Sequence, residues 1–361
     1  MWTISGDEVL RFKGHGEAFT EFVDALIRAE GYVCGLLDSA VNANIRVNLA
    51  DGGVDTQVRE PMTGSATGWF SSPTCWQYKA SPFVGTRETD LKNEIRKPFA
   101  AQLIKQGYAY RFCIADSLSA DKISEWEIIL DGEARTINQN ALACRVVTAT
   151  GLAALASRMP GIITRFFRPG LSEFLHLDSW GENERALTRK FIEVNEWSPV
   201  RASLEEHADF RKTRPDALLW LQGDSGVGKS RMVYETLASR LPLRGLVIYT
   251  RNDDQAVRIA AELANDRTAR AADECPLESR EKIEALLAGH RDRVRVIAID
   301  NTSDSVLGLS PQLRLDKMQA QKVDEILSAN FPSVPAIDAA STLESPEGSS
   351  ALQRTYVRTI I

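Results

Sequence analysis

Gly223-Asp224-Ser225-Gly226-Val227-Gly228-Lys229-Ser230 satisfies the P-loop pattern, G-x-x-x-x-G-K-[ST], at every constrained position. The chemistry explains the pattern. Glycines let the backbone turn tightly and aim successive N–H groups at phosphate oxygens. The lysine brings a point charge to the β- and γ-phosphates, and the Ser230 hydroxyl is placed for a magnesium ion. The flanks agree with this reading. Ala217-Leu218-Leu219-Trp220-Leu221 has the pattern of a buried strand before the loop. Residues 231–240 have that of a helix after it, with Met232, Val233, Leu237 and Ala238 at the apolar positions. An anion in the loop therefore meets a helix N-terminus, where unpaired N–H groups and the helix dipole favour it. Gly223, Ser225, Gly226, Val227, Gly228, Lys229, Ser230 and Arg231 are the expected contacts to ATP. The bland alternative is a Gly-rich strand–helix turn that binds nothing.

A nucleotide site of this kind needs an acidic residue at the end of a neighbouring buried strand, to hold the magnesium. Arg295-Val296-Ile297-Ala298-Ile299-Asp300 supplies four apolar residues and then Asp300, the Walker B candidate. Ser230 and Asp300 are the expected metal contacts there. Asn301 follows, and an amide orients a water but cannot accept its proton. The expectation is slow hydrolysis, or ATP used as a switch ligand, with Asp304 a nearby substitute base.

At 361 residues the chain has room for two or three domains. The net charge of −6 gives no global electrostatic case for nucleic acid, so any basic surface is local. Five cysteines are scattered without metal-ligand spacing, and the four histidines form no cluster. Reduced thiols in a cytoplasmic protein are the simple expectation. The first residues carry neither a basic region nor a long apolar core, and no run reaches membrane-spanning length.

Upstream, residues 19–29 form an amphipathic helix with Phe19, Phe22, Val23, Leu26 and Ile27 on one stripe. Strands are expected at 44–49, 54–59, 75–80, 108–115 and 144–148, a helix interrupted or kinked near Pro98 at 89–106, and a short helix at 152–159 closed by Pro160. That order describes an α/β unit with a mixed sheet. Pro169-Gly170 marks a boundary, and a helix over 183–194 leads into the second unit. There, strands at 245–250 and 294–299 alternate with helices at 255–264 and 279–288, the parallel, doubly wound arrangement. Residues 336–361 are expected to be disordered or weakly packed.

The first unit holds a second constellation. Asp51-Gly52-Gly53-Val54-Asp55 precedes one strand, and Thr74-Cys75-Trp76-Gln77-Tyr78-Lys79-Ala80 forms the next. Gln77 and Lys79 share a face, because side chains alternate along a strand. If the two strands form a hairpin across residues 61–73, Asp55 approaches that face. Phosphodiester hydrolysis uses such a set: Asp55 and the Gln77 oxygen for a divalent Mg2+ or Mn2+, Lys79 for phosphate charge or for deprotonating water. The alternative is an ordinary hairpin with an exposed lysine. Lys92, Arg96, Lys97 and Lys105 are candidates for further phosphate contacts.

Asp-Gly-Gly-Val-Asp followed by Gln-Tyr-Lys resembles the D…QxK variant of the PD-(D/E)xK restriction-endonuclease-like superfamily, of the Mrr type. Phe19-Thr20-Glu21-Phe22-Val23 resembles that family's first helix. Where the family often has Glu after the Phe, this chain has Thr20. Glu21 stands one position late and receives no metal role. With a P-loop unit behind it, the chain resembles STAND-type NTPases of bacterial antiphage defence. The resemblance implies a restriction-endonuclease-like mixed-sheet domain over 1–165, a helical linker over 166–214, and a P-loop NTPase domain with a parallel sheet over 215–335. It also implies an ATP-regulated endonuclease acting on double-stranded DNA, homo-oligomerisation on activation, and a foreign-protein trigger. Nothing after residue 335 looks like the repeat sensor of that class. The expectation is a truncated form, a fragment, or a sensor in another protein. Two competing readings are a signalling ATPase scaffold with an inactive binding module, and a restriction motor. The motor is disfavoured because a single NTPase core is visible.

Overall fold

A computed structural model of the chain describes residues 2–43, 52–65, 67–80, 88–170, 173–183, 191–192, 195–210, 212, 216–224, 226–263, 268–273, 277–290, 294–300 and 311–315. It divides into two compact units, Met1–Arg168 and Pro169–Ile361.

The first unit is built on a five-stranded mixed sheet in the order β1-β2-β3-β4-β5. The strands are β1 (Val41–Ala43), β2 (Thr56–Val58), β3 (Thr74–Lys79), β4 (Ala109–Ile114) and β5 (Arg145–Val147). β1, β2 and β3 pair antiparallel, whereas β3, β4 and β5 pair parallel. The expected strand at 44–49 lies outside the described residues; β1 ends just before it. Short α1 (Gly6–Val9), opened by a Ser5/Glu8 capping box, leads to α2 (Gly16–Val33). Phe19, Phe22, Val23, Leu26 and Ile27 are buried, as the stripe requires. The Phe19 ring meets Tyr78 of β3 edge-on at 6.3 Å, so α2 covers the face of β3 that bears Tyr78.

The face that bears Cys75 packs with α3 (Glu88–Ile95), α4 (Pro98–Lys105) and α5 (Ala120–Ile137), through Leu91, Ile95, Leu103, Ile104, Trp126 and Leu130. The helix expected over 89–106, interrupted or kinked near Pro98, is interrupted there into two helices. Pro98 disfavours the helical conformation at the residue before it, and Lys97 is extended at ψ 144°. Proline then opens α4, where a missing N–H costs nothing. The Gly52 carbonyl accepts the N–H groups of Phe99 and Ala100, two of the unpaired donors at that helix start. α5, absent from the sequence expectations, is capped by Ser119, whose hydroxyl accepts the Lys122 N–H. α6 (Ala149–Ala156) begins three residues earlier than expected, and Pro160 opens α7 (Pro160–Ile162) rather than only closing its predecessor.

The second unit carries a six-stranded sheet in the order β11-β7-β10-β9-β8-β6. These are β6 (Leu175–His176), β7 (Leu218–Gln222), β8 (Val247–Thr250), β9 (Thr268–Asp273), β10 (Val294–Ile299) and β11 (Gln312–Arg314). All neighbours pair parallel except β6 with β8. The expected parallel sheet therefore has one short antiparallel edge. β7, β8 and β10 are buried along their whole length, as befits parallel strands covered on both faces. The helices are α8 (Leu177–Asn183), α9 (Ser198–Ala208), α10 (Lys229–Ala238), α11 (Asp253–Leu263) and α12 (Leu277–Leu287). Ala256, Ala260, Ile283 and Leu287 of α11 and α12 pack on Leu218, Trp220, Val294 and Val296. α8 ends where the helix of 183–194 was expected to begin, and most of that helix lies outside the described residues, as does the tail 336–361.

Arg295 is a buried cation in β10. Its guanidinium donates to the carbonyls of His207 (2.7 Å) and Lys212 (2.6 Å) and lies over the Phe210 ring. A His207 ring nitrogen stands 3.0 Å from the Val296 carbonyl oxygen, so the end of α9 is tied to β10. Arg295→Ala leaves buried carbonyls unsatisfied and should destabilise this unit by about 2–3 kcal/mol. Urea unfolding followed by tryptophan fluorescence measures it; an unchanged midpoint would contradict this account of α9.

Candidate functional site

β7 ends at Gln222 and the glycine loop begins. Gly223, Gly226 and Gly228 have φ of 153°, 87° and 96°, values that residues with a side chain rarely adopt. A Cβ on Gly223 would lie 2.5 Å from the Leu315 carbonyl oxygen, so the chain just past β11 presses on the start of the loop. Gly228 caps α10 in the left-handed conformation, and Lys229 opens the helix. Buried Lys229 turns back across the loop, donating to the carbonyls of Gly223 and Asp224, each at 2.8 Å. Val227 is buried and Ser230 stands in the first turn of α10. Ser225 lies outside the described residues. Arg231 pairs with Glu235 at 2.6 Å and lies over the Phe191 ring.

β10 is the direct parallel neighbour of β7, with Ile299 opposite Leu221. The Asp300 N–H donates to the Leu221 carbonyl at 3.0 Å. Asp300 therefore stands at the carboxyl end of the parallel strands, the end from which the loop departs. Asn301 and Asp304 lie outside the described residues. β9, which the sequence reading lacked, ends with Asp273 opposite Ile299, one strand farther from the loop.

In the first unit β2 and β3 form the expected hairpin, with Thr56 opposite Trp76. That register brings Asp55 to Gln77. The Gln77 amide nitrogen donates to Asp55 Oδ2 at 2.8 Å, and the Tyr78 backbone N–H donates to the same oxygen at 2.6 Å. Gln77 is only 2% exposed, and its Oε1 is buried without a hydrogen-bond partner. Lys79, two residues on, shares this face. Its Nζ lies 2.9 Å from Glu94 Oε1 on α3, and Glu94 Oε2 lies 2.7 Å from Lys97 Nζ. Burial pushes the Cys113 thiol well above its ordinary range and the Asp55 carboxylate adds to the shift.

The other basic candidates are engaged locally. Arg96 makes a two-pronged contact with Glu133 at 2.7 and 3.0 Å, which holds that carboxyl below the usual range. Lys92 pairs with Glu88. Lys105 is exposed in the last turn of α4. Glu21 is nearly half exposed on α2, 4.0 Å from Arg165. The residue that sequence reasoning missed is Glu94. Its signal was present: Leu91, Glu94 and Ile95 stand at helical i, i+3, i+4 spacing, an acid inside an apolar stripe.

Among the described residues no group of three or more His, Cys, Asp or Glu is placed to hold a metal ion, and no helix is long and apolar enough to cross a membrane. No protein-family model and no curated protein matches the chain. Among solved structures, the structure of C. elegans PCH-2 is similar at a TM-score of 0.30 and 12% identity, over 38% of this chain and 48% of that one. The match thus spans about half the length of that protein.

Proposed function

We propose that the chain is an ATP-regulated, metal-dependent endonuclease acting on double-stranded DNA, in which the second unit binds nucleotide and the first cuts. The observation that supports the cutting half is the contact between Asp55 and Gln77 across the hairpin, with Lys79 on the same face. The residues fit a divalent cation of the magnesium class. The oxygens that would hold it are those of Asp55 and of the Gln77 amide, whose nitrogen now donates to Asp55 Oδ2 at 2.8 Å. Amide nitrogen and oxygen exchange by a half-turn of the last torsion, so the partnerless Oε1 can take the place of Nε2 beside Asp55. A bound ion would polarise the phosphate and lower the pKa of water.

The chain's own groups supply the rest. In hydrolysis a water oxygen forms a bond to phosphorus while a backbone P–O bond breaks, and the proton from water ends on the leaving oxygen. Lys79 offsets the charge that gathers on the phosphate oxygens. In the second unit, Lys229 already spans the loop and would exchange its two carbonyl partners for phosphate oxygens. Ser230 and Asp300 would hold the nucleotide's magnesium. Asn301 after Asp300 favours a nucleotide that is bound longer than it is spent, a switch rather than a fuel. The resemblance noted above adds oligomerisation on activation and a foreign-protein trigger sensed by a partner.

One observation favours the second reading, an inactive module beside a signalling ATPase: Lys79 and Asp55 already have partners within the unit. Metal titration separates the two. Nucleotide-free wild type should bind Mn2+ in calorimetry, and Asp55→Ala should lose that binding. Equal titration curves would favour the inactive module.

A further inference from the structure

We propose that Glu94 is the positioning residue of the Asp55–Gln77–Lys79 site, holding the Lys79 ammonium in place through its carboxylate; this rests on the endonuclease reading above. Glu94 occupies a helix position that packing would give to an apolar residue. Its neighbours on that face, Leu91 and Ile95, are completely buried. A carboxylate there is costly unless its charge is answered. Two ammonium groups stand within ion-pair distance, Lys79 at 2.9 Å from Oε1 and Lys97 at 2.7 Å from Oε2, the second by charge alone, without hydrogen-bond alignment. The two lysines come from different elements, β3 and the N-cap of α4. Glu94 thus joins the strand that carries Gln77 and Lys79 to the break between α3 and α4.

The same break is fixed against the arm that carries Asp55. A Cβ on Gly53, which has φ 92°, would lie 2.6 Å from Lys97 Cβ and 3.1 Å from the Glu94 carbonyl oxygen. Only a glycine lets the Asp55 arm approach so closely. The Asp55 arm therefore packs on the break between α3 and α4, where the Glu94 carboxylate joins Lys79 to Lys97. A solvated surface acid has none of these ties: the Glu94 side chain is 16% exposed and that of Lys79 is 19% exposed. Acting through Lys79, Glu94 would set where the ammonium stands relative to the phosphate, without touching substrate.

The test uses the full chain, a short DNA duplex and Mg2+. Glu94→Gln keeps the shape and removes the charge. Its single-turnover cleavage rate should fall about 10- to 100-fold, the usual loss when an orienting partner is removed, with duplex affinity little changed. Glu94→Asp should recover part of the rate. In a Lys79→Ala background Glu94→Gln should add no further loss, because it acts through the lysine. A wild-type rate for Glu94→Gln, or a full additional loss in the double variant, would overturn the proposal. A readout without turnover keeps it separable from the endonuclease reading. In protein with 13C-methylated lysines, the Lys79 signal should move in Glu94→Gln. A moved signal with no cleavage by wild type would uphold the positioning and defeat the endonuclease. An unmoved signal would defeat the positioning itself.

Discussion

Lys79→Ala should slow cleavage of duplex DNA in the presence of magnesium about 10²- to 10³-fold while leaving ATP binding intact. Removing one preorganised donor from a site where negative charge develops costs about 10²- to 10³-fold in rate. Lys79 is the cation on β3 that shares a face with Gln77, so no neighbour on that strand replaces it. The fold should tolerate the change. Lys79 is partly exposed, and its partner Glu94 keeps Lys97 at 2.7 Å. A thermal melt checks this. The rate is read as loss of supercoiled plasmid. A variant that melts like wild type and cuts as fast would remove the endonuclease assignment.

Lys229→Ala should remove nucleotide binding. The ammonium now holds the loop through the Gly223 and Asp224 carbonyls, each at 2.8 Å, and would turn to the phosphates when ATP enters. A hydrogen bond to a charged group contributes about 1.5–3 kcal/mol. At about 1.4 kcal/mol per factor of ten, affinity should fall about 10- to 100-fold, and further if the loop loses its shape. Equilibrium titration with a fluorescent ATP analogue measures it. Unchanged affinity would reduce the loop to a strand–helix turn.

What could be read from the sequence follows the range of the interactions involved. The strand, glycine loop and helix around Lys229 are local, and each residue type there has a stereochemical reason. The Asp55–Gln77 approach needed one further step, the assumption that the two strands pair as a hairpin, and the register Thr56 opposite Trp76 places them so. The misses are non-local. Thr268-Ala269-Arg270-Ala271-Ala272-Asp273 has the composition of a helix, yet it is β9, a strand because β8 and β10 offer it two ladders. Gln312-Leu313-Arg314 is too short to announce itself and is β11 through its pairing with β7. Glu94 stood out as an acid inside an apolar stripe, but its partner was hidden, because nothing in the chain order ties position 94 to position 79. The interruption near Pro98 was legible, but not what it positions: the extended Lys97 separates two helices and brings a second lysine to Glu94.

The central claim is that nucleotide bound by the second unit controls cutting by the first. It is tested most directly by plasmid cleavage with magnesium, with and without ATP, in wild type, Lys79→Ala and Lys229→Ala. The expected result is ATP-dependent cleavage by wild type, cleavage about 10²- to 10³-fold slower in Lys79→Ala under either condition, and no response to ATP in Lys229→Ala. Cleavage by wild type that is indifferent to ATP, or unaltered by loss of Lys79, would contradict it.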